Sequence, residues 1–229
     1  MNFNPLEQII SILSPEQCHL CSRDAIMLCD ECSSLLIENK ESRCYICNKI
    51  TVQNQICPSC RSNSRLRRIW WLGLYDKDLK HFIGEMKFHR KRAYARRFGE
   101  LLAATVPYLA DDTLVIPAPT ASRRIRQRSF DQAVTIARSF ASHRSLEALP
   151  RLLQRRNQND QIGKRRADRI HQMKDSFVVS NPSAIYGRSI LLVDDVVTTG
   201  ATLESAAAIL RKHGAKHVDA VVIARSLRQ

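Results

Sequence analysis

Two adjacent aspartates followed by a threonine-rich turn occupy the segment ILLVDDVVTTGATLESA, residues 190–206. After the apolar strand, residues 198–202 turn the chain into a helix. Successive backbone N–H groups and three threonine hydroxyls therefore converge at the positive end of the helix dipole. Gly200 lets the backbone approach a ligand closely. The pattern predicts a binding loop for a phosphate monoester.

The two carboxylates, Asp194 and Asp195, lie too close to this anion to bind it themselves. They suit the 2- and 3-hydroxyls of a ribose whose 5-phosphate lies in the loop, with or without Mg²⁺. The alternative is helix capping, which accounts for one side chain but not for two carboxylates and the turn. The predicted phosphate and ribose site consists of Asp194, Asp195, Val196, Val197, Thr198, Thr199, Gly200, Ala201 and Thr202.

All eight cysteines lie within the first 60 residues, as four identical C-x-x-C pairs. Such a pair directs two thiolates at one metal ion, and two pairs complete a tetrahedron around zinc. A disulfide framework is the alternative, but it needs an oxidising compartment, and no secretory signal directs the chain to one. We therefore predict two zinc sites formed by Cys18, Cys21, Cys29, Cys32, Cys44, Cys47, Cys57 and Cys60.

The pairing of these cysteines is open at the level of sequence. Sequential sites close the shorter loops and cost less entropy, whereas interleaved sites are compatible with the same spacing. In either arrangement all four ligands are cysteines, so neither zinc ion keeps an open position for catalysis. His19 is expected to be a bystander. If the module touches nucleic acid, it should do so through Arg43, Tyr45, Arg61 or Arg65.

The formal net charge of +14 is unevenly distributed along the 229 residues. Residues 1–64 carry a net charge of −2, so residues 65–229 carry +16. This contrast predicts a zinc-binding module over 1–64 and a second domain over 65–229 with a polyanionic partner. A solubilising surface excess is the alternative. Because the chain contains neither a membrane-spanning run nor a secretory signal, we expect a cytoplasmic protein.

Apolar periodicity predicts strands over residues 69–75, 113–119, 189–193 and 217–224, an edge strand at 177–179, and helices between them. Strands that alternate with helices indicate an α/β fold with a parallel sheet. Residues 151–169 are polar and rich in arginine, which predicts a long mobile loop. We expect Trp70 and Trp71 to be core residues, although base stacking is open to them.

A cluster of cations surrounds the turn KFHRKRA between the first two predicted helices, and further arginines follow the strand at 113–119. A solvated helix face would explain them, but their density also suits a phosphodiester backbone. The nucleic-acid candidates are Lys87, Arg90, Lys91, Arg92, Arg96, Arg97, Arg126 and Arg128.

The segment ILLVDDVVTTGAT resembles the phosphoribosyl pyrophosphate (PRPP) motif of type I phosphoribosyltransferases. From Cys18 onward the chain is similar to the ComF family of competence-associated proteins, in which a cysteine-rich zinc ribbon precedes a phosphoribosyltransferase-like domain. The similarity rests on the cysteine pairs, the PRPP motif and the segments YDKDLKHFIGEMKFHRKRAYAR, VIPAPTASRRIRQRSFDQA and DQIGKRRADR. It implies a type I phosphoribosyltransferase-like sheet with an N-terminal double zinc ribbon.

The resemblance also assigns two further loops. PAPTASRR would be the pyrophosphate-side loop, and DQIGKRRADR the flexible loop that closes over the site in related transferases. The implied residues are Arg123, Arg124, Gln161, Lys164, Arg165, Arg166 and Arg169. The chain departs from the R-G-F-N-Q-A pattern of the family, because Ser129 replaces the glycine and Asp131 the asparagine. This departure weakens any inference about recognition of a base or amine there.

Two functions follow from the resemblance. The first is the handling of incoming single-stranded DNA in the cytoplasm during natural transformation, with a helicase or the uptake channel as protein partner. The second is an active phosphoribosyltransferase that uses PRPP and Mg²⁺ with an unidentified acceptor, although fold and motif do not by themselves establish turnover. A combined interpretation keeps the pocket for PRPP or a 5′-phosphorylated DNA end.

Overall fold

The computed structural model describes residues 17–23, 27–37, 41–88, 91–155 and 177–227. Its strands are β1 (Ile69–Leu74), β2 (Leu114–Pro117), β3 (Glu147–Ala148), β4 (Leu153–Arg155), β5 (Phe177–Val179), β6 (Ser189–Val197) and β7 (His217–Arg225). Its helices are α1 (Asp30–Leu36), α2 (Pro58–Arg61), α3 (Lys77–Phe88), α4 (Arg92–Thr105), α5 (Ser122–Arg128), α6 (Gln132–His143) and α7 (Ala201–Lys212), with a 3₁₀ turn at Pro182–Ala184.

Five of the strands form one parallel sheet in the order β1-β7-β6-β2-β3. This arrangement confirms the predicted α/β fold. Because all five strands run the same way, their carboxyl ends meet at one edge, where open α/β sheets bind ligands. The segments that follow β1, β2 and β6 are therefore brought together at that edge.

The sheet is buried on both faces, which explains why its central strands have almost continuous apolar sequences. Residues 190–193 of β6 and 218–225 of β7 are all buried. Successive side chains point to opposite faces of a strand. Trp70 accordingly joins the core on one face of the sheet and Trp71 the core on the other. Both tryptophans are therefore core residues, as predicted, and do not offer their faces to bases.

The cysteine-rich segment packs against both of these cores. Cys18, Leu28 and Leu36 belong to the same apolar cluster as Phe82 on α3. On the opposite face, Cys44, Tyr45 and other residues of the second half of the segment join the cluster that contains Trp71. The first half of the segment thus covers one face of the sheet and the second half covers the other.

The structure corrects two details of the predicted elements. Strand β6 does not end at Val193 but continues to Val197, because Asp194, Val196 and Val197 remain paired with β7. The predicted loop over 151–169 is wrong at its start, since residues 153–155 form β4 and pair antiparallel with β5. Strand β5 consequently belongs to a separate hairpin and is not an edge of the main sheet.

Some predicted residues lie outside the described part of the chain, namely Arg90, Gln161, Lys164, Arg165, Arg166 and Arg169. Among the residues that are described, no helix combines the length and the apolar character needed to span a membrane.

Candidate functional site

The predicted phosphate loop joins the end of β6 to the start of α7. Gly200 is the residue before the helix and has φ of +77°, a left-handed conformation that favours glycine. The Ala201 backbone N–H donates to Thr199 Oγ1 at 3.3 Å. Thr198, Thr199 and Ala201 are exposed. The loop therefore presents its hydroxyls and the amino end of a 12-residue helix to solvent.

Asp194 and Asp195 lie just before this loop, half-buried in β6. Asp194 Oδ1 accepts a hydrogen bond from the Asp195 backbone N–H at 2.8 Å. Burial, followed by the charge of Asp195, raises the pKa of the Asp194 carboxyl to about 8. At neutral pH Asp194 therefore keeps its proton and can donate a hydrogen bond as well as accept one.

Asp195 is held by two side chains from distant parts of the sequence. Lys87 Nζ at the end of α3 lies 2.9 Å from Asp195 Oδ2, and Gln132 Nε2 at the start of α6 donates to the same oxygen at 2.5 Å. Lys87 was predicted as a nucleic-acid contact. The structure instead places its ammonium group in the acidic site.

Gln132 is a site residue that the sequence does not predict. Its side chain is buried, and within the described part of the chain its Oε1 has no hydrogen-bond partner. An orphaned buried acceptor is costly, so this atom suits a donor on a bound ligand. The contact could not be predicted, because Gln132 and Asp195 are 63 residues apart in sequence.

The two departures from the R-G-F-N-Q-A pattern have structural consequences. Ser129 ends α5 with φ of +62°, a position where glycine is favoured. Asp131 begins α6, where its Oδ1 accepts from the Val134 backbone N–H at 3.4 Å and from Thr120 Oγ1 at 3.2 Å. Burial raises the pKa of Asp131. The acid thus acts as a helix cap that links α6 to the loop after β2.

The predicted pyrophosphate-side loop spans residues 117–124, but only residues 118–121 are loop, because Pro117 ends β2. Helix α5 begins at Ser122, so Arg123 and Arg124 lie in its first turn. Arg155 Nε at the end of β4 donates to the Pro119 carbonyl at 3.0 Å. Arg155 also pairs with Phe177, so the two residues that flank segment 156–176 meet beside this loop. The predicted flexible-loop residues are carried by that segment.

The cations around the α3–α4 turn do not share one open face among the described residues. Arg97 pairs with Asp30 on α1 and with Glu100, and Lys91 Nζ lies 2.8 Å from Glu85. The Arg92 guanidinium donates to the Ser129 carbonyl and lies over the Phe130 ring. Of the nucleic-acid candidates that the structure describes, Arg92, Arg96 and Arg126 are exposed and Arg128 is half-buried.

The cysteines form two sets of four, in the sequential arrangement. The ligand sulfur atoms of Cys18, Cys21, Cys29 and Cys32 lie within 4.8 Å of one another, as do those of Cys44, Cys47, Cys57 and Cys60. Around a tetrahedral zinc ion with bonds of about 2.3 Å, ligand sulfurs are about 3.8 Å apart, so both sets fit zinc. A hydrogen bond from Ser59, against the effect of burial, lowers the pKa of Cys57 to about 6, which favours the thiolate.

Two residues near these clusters have other partners. His19 lies inside the first C-x-x-C pair, but its Nδ1 lies 2.8 Å from the Tyr94 hydroxyl, and it is not in the ligand set. Tyr45 lies inside the third pair and is buried, with its hydroxyl donating to Glu204 Oε1 at 2.6 Å. Tyr45 therefore does not offer an exposed ring for base stacking.

An open groove of about 690 Å³ lies beside α3, where β1 ends. Gly84 forms part of its wall, and a Cβ atom added there would have no neighbour within 4 Å. Lys87, three residues further along the same helix, reaches Asp195. The groove is lined by Tyr75, Asp76, Lys80, His81, Gly84, Glu85 and Phe88.

The chain resembles known proteins in its sequence. Residues 131–229 match the phosphoribosyl transferase domain. The chain is 25% identical to the Competence protein ComFC of Bacillus subtilis over 87% of its own length and 84% of that protein. It is 25% identical to the DNA utilization protein YhgH of Escherichia coli, over 87% of its own length and 97% of that protein. It is 28% identical to the Competence protein F of Haemophilus influenzae, over 68% of its own length and 71% of that protein. The chain is therefore similar over most of its length to proteins named for competence and for DNA utilisation, and its carboxyl-terminal part matches the phosphoribosyl transferase domain.

Proposed function

We propose that this protein handles single-stranded DNA in the cytoplasm during natural transformation, and that its phosphoribosyl transferase domain binds PRPP or a 5′-phosphorylated nucleotide. The observation that carries the proposal is the juxtaposition of the Thr198–Thr202 loop with the carboxylates of Asp194 and Asp195 at the carboxyl edge of the sheet. The loop offers donors for a phosphate, and the acids offer acceptors for ribose hydroxyls.

The surroundings of the acids support a ligand that is both anionic and hydroxylated. Asp195 is already neutralised by Lys87, while Gln132 Oε1 remains to be satisfied. The Asp194 and Asp195 oxygens also fit Mg²⁺, which prefers carboxylate ligands and substrate phosphates. When bound, Mg²⁺ would supply charge neutralisation for a pyrophosphate group.

The DNA part of the proposal rests on charge and on the relatives. Residues 65–229 carry a net charge of +16, and Arg96 and Arg126 are exposed. Proteins named for competence and for DNA utilisation resemble the chain over most of its length. The two four-cysteine clusters, which we propose hold zinc, would fix the part of the surface that contacts DNA or a partner such as a helicase or the uptake channel.

An active phosphoribosyltransferase is the second candidate. The groove beside α3 favours it, because the helix that forms its wall also carries Lys87, whose ammonium group reaches Asp195. An acceptor in this groove would displace pyrophosphate from C1 of PRPP. The groove contains both apolar and ionisable side chains, so its composition suits a planar nitrogenous ring without selecting one acceptor.

A competition experiment tests the proposal. Purified protein is titrated with a fluorescent single-stranded oligonucleotide carrying a 5′-phosphate, with and without PRPP and Mg²⁺, at several salt concentrations. We expect DNA binding that weakens steeply as salt rises, because released counterions drive binding to phosphates. PRPP should reduce the affinity for the 5′-phosphorylated strand more than for a 5′-hydroxyl strand.

The outcomes separate the candidates. DNA binding that is absent at low salt, or insensitive to salt, would contradict the DNA function. No effect of PRPP on either strand would place DNA and PRPP at different sites, and an equal loss of affinity for both strands would mean that the 5′-phosphate does not lie in the loop. Release of pyrophosphate from PRPP on addition of a nucleobase or amine would establish the transferase instead.

A further inference from the structure

Glu204 lies in the first turn of α7, directly after the phosphate loop, and its carboxylate accepts three hydrogen bonds. The Tyr45 hydroxyl donates to Oε1 at 2.6 Å, and the Ser64 hydroxyl donates to the same oxygen at 2.5 Å. The Arg65 backbone N–H donates to Oε2 at 2.7 Å. All three donors come from the second cysteine cluster or from the segment that leaves it after Cys60.

Tyr45 also contacts the phosphate loop itself. A Cβ atom added at Gly200 would lie 2.7 Å from Tyr45 Cε2 and 2.8 Å from its hydroxyl oxygen. The tyrosine ring therefore packs directly against the left-handed residue on which the loop turns. No other residue type at position 200 would fit without displacing this ring.

The position of Tyr45 is set from two directions. Its neighbours in the chain are the metal-ligand candidates Cys44 and Cys47, which fix the turn that carries it. From the sheet side, the buried Arg225 at the end of β7 donates to the Tyr45 carbonyl at 3.0 Å and to Asn48 Oδ1 at 2.9 Å. Tyr45 thus connects the cysteine cluster to the loop through packed, hydrogen-bonded groups.

The charge of Glu204 gives this connection a consequence for anion binding. A carboxylate in the first turn of a helix is attracted to the same positive helix end that would bind a phosphate. While the three donors bind the Glu204 carboxylate beside the cysteine cluster, these hydrogen bonds stabilise its negative charge. A released Glu204 would compete with the ligand and repel it.

We propose that Tyr45 is a positioning residue for the phosphate loop, and that it couples metal occupancy of the second cysteine cluster to anion binding at residues 198–202. The anion-binding part rests on the proposed function. Because such coupling is reciprocal, a bound phosphate ligand should also slow loss of metal from the second cluster.

Substitution of Tyr45 tests the coupling directly. Tyr45→Phe keeps the ring but removes the bond to Glu204, and we expect it to weaken binding of PRPP with Mg²⁺ about tenfold in isothermal titration calorimetry. Tyr108→Phe is the matched control, since the Tyr108 hydroxyl also donates to a carboxylate, Asp111, far from the loop. Adding Glu204→Gln to Tyr45→Phe should restore affinity, because the side chain, which has lost one of its three donors, then carries no charge. A purely structural role for Tyr45 predicts no such rescue.

A second measurement needs no ligand and therefore separates this proposal from the proposed function. Hydrogen exchange of residues 198–204 should accelerate in Tyr45→Phe and in Cys44→Ser/Cys47→Ser, but not in Tyr108→Phe. If the wild-type protein bound no PRPP, the PRPP part of the proposed function would fail, while the exchange measurement would still test the contact between Tyr45 and the loop. Unchanged exchange in Tyr45→Phe, or loss of PRPP affinity that Glu204→Gln does not rescue, would overturn the proposal.

Discussion

At the scale of single residues, the site combines groups that the sequence reveals with groups that it does not. The pair Asp194 and Asp195 and the loop Thr198–Thr202 could be predicted, because adjacent residues carry the pattern. Gln132 and Lys87 could not, since their partner Asp195 is distant in sequence and only the fold brings them together. Arg97 was expected on a solvated or DNA-binding face, but in the structure its guanidinium pairs with Asp30 on α1.

The raised pKa of Asp194 predicts a pH-dependent stability. Its pKa rises from 3.8 in the unfolded chain to about 8 in the folded protein. Between these values the folded state binds the extra proton, so raising the pH destabilises the fold, by at most about 1.4 kcal/mol per pH unit. Asp194→Asn removes this dependence and should be more stable than wild type at pH 8.

Thermal unfolding of both proteins between pH 4 and pH 8.5 measures this difference. Asp112→Asn, in the exposed Asp111–Asp112 pair, is the matched control and should follow the wild type. A wild-type protein whose stability relative to Asp194→Asn does not fall across this range would refute the protonated state of Asp194.

At the scale of elements, the positions and types of the strands and helices follow from periodicity, whereas their ends do not. Strand β6 runs four residues beyond its predicted end because β7 continues to pair with it. Strand β4 was missed because its three residues gain stability only from their partner β5. The close approach of α4 and α6 is likewise invisible in the sequence.

Two helix glycines give opposite predictions about packing. A Cβ at Gly99 would lie 2.5 Å from Ser139 Cβ and 2.7 Å from the Ile136 carbonyl, so Gly99 is where α4 meets α6. Gly99→Ala should destabilise the protein by about 1–3 kcal/mol through overpacking. Gly84→Ala enters open space and should stabilise it by about 0.5–1 kcal/mol through helix propensity. Urea denaturation midpoints of the two variants measure both effects, and a shift of the same sign in both would contradict the packing described here.

At the scale of the whole molecule, the cysteine-rich segment and the sheet share their apolar cores. The sequence predicts the division at residue 64 from charge and cysteine content. It does not show that Cys18 and Leu28 would pack on one face and Cys44 and Tyr45 on the other, because such contacts depend on tertiary structure.

Because the cysteine-rich segment and the sheet share their cores, we expect removal of zinc to destabilise the fold of the whole protein. We expect about two zinc ions per chain by elemental analysis, one for each four-cysteine cluster. Chelation should lower the midpoint of thermal unfolding for the whole protein, since metal binding to such clusters contributes to folding free energy. Near-ultraviolet circular dichroism of Trp70 and Trp71 reports the sheet core. A tryptophan signal that melts at the same temperature with and without chelator would contradict this linkage.

The central claim is a ribose 5-phosphate site at the Asp194–Thr202 segment, and calorimetric titration with PRPP and Mg²⁺ tests it most directly. The wild-type protein and Asp111→Asn/Asp112→Asn, which changes the chain's other adjacent pair of aspartates, should bind PRPP with equal affinity. Asp194→Asn/Asp195→Asn should bind it at least about tenfold more weakly, because the charged hydrogen bond lost with Asp195 alone is worth about 1.5–3 kcal/mol. Unchanged PRPP affinity in that variant, or no binding by the wild-type protein, would contradict the account.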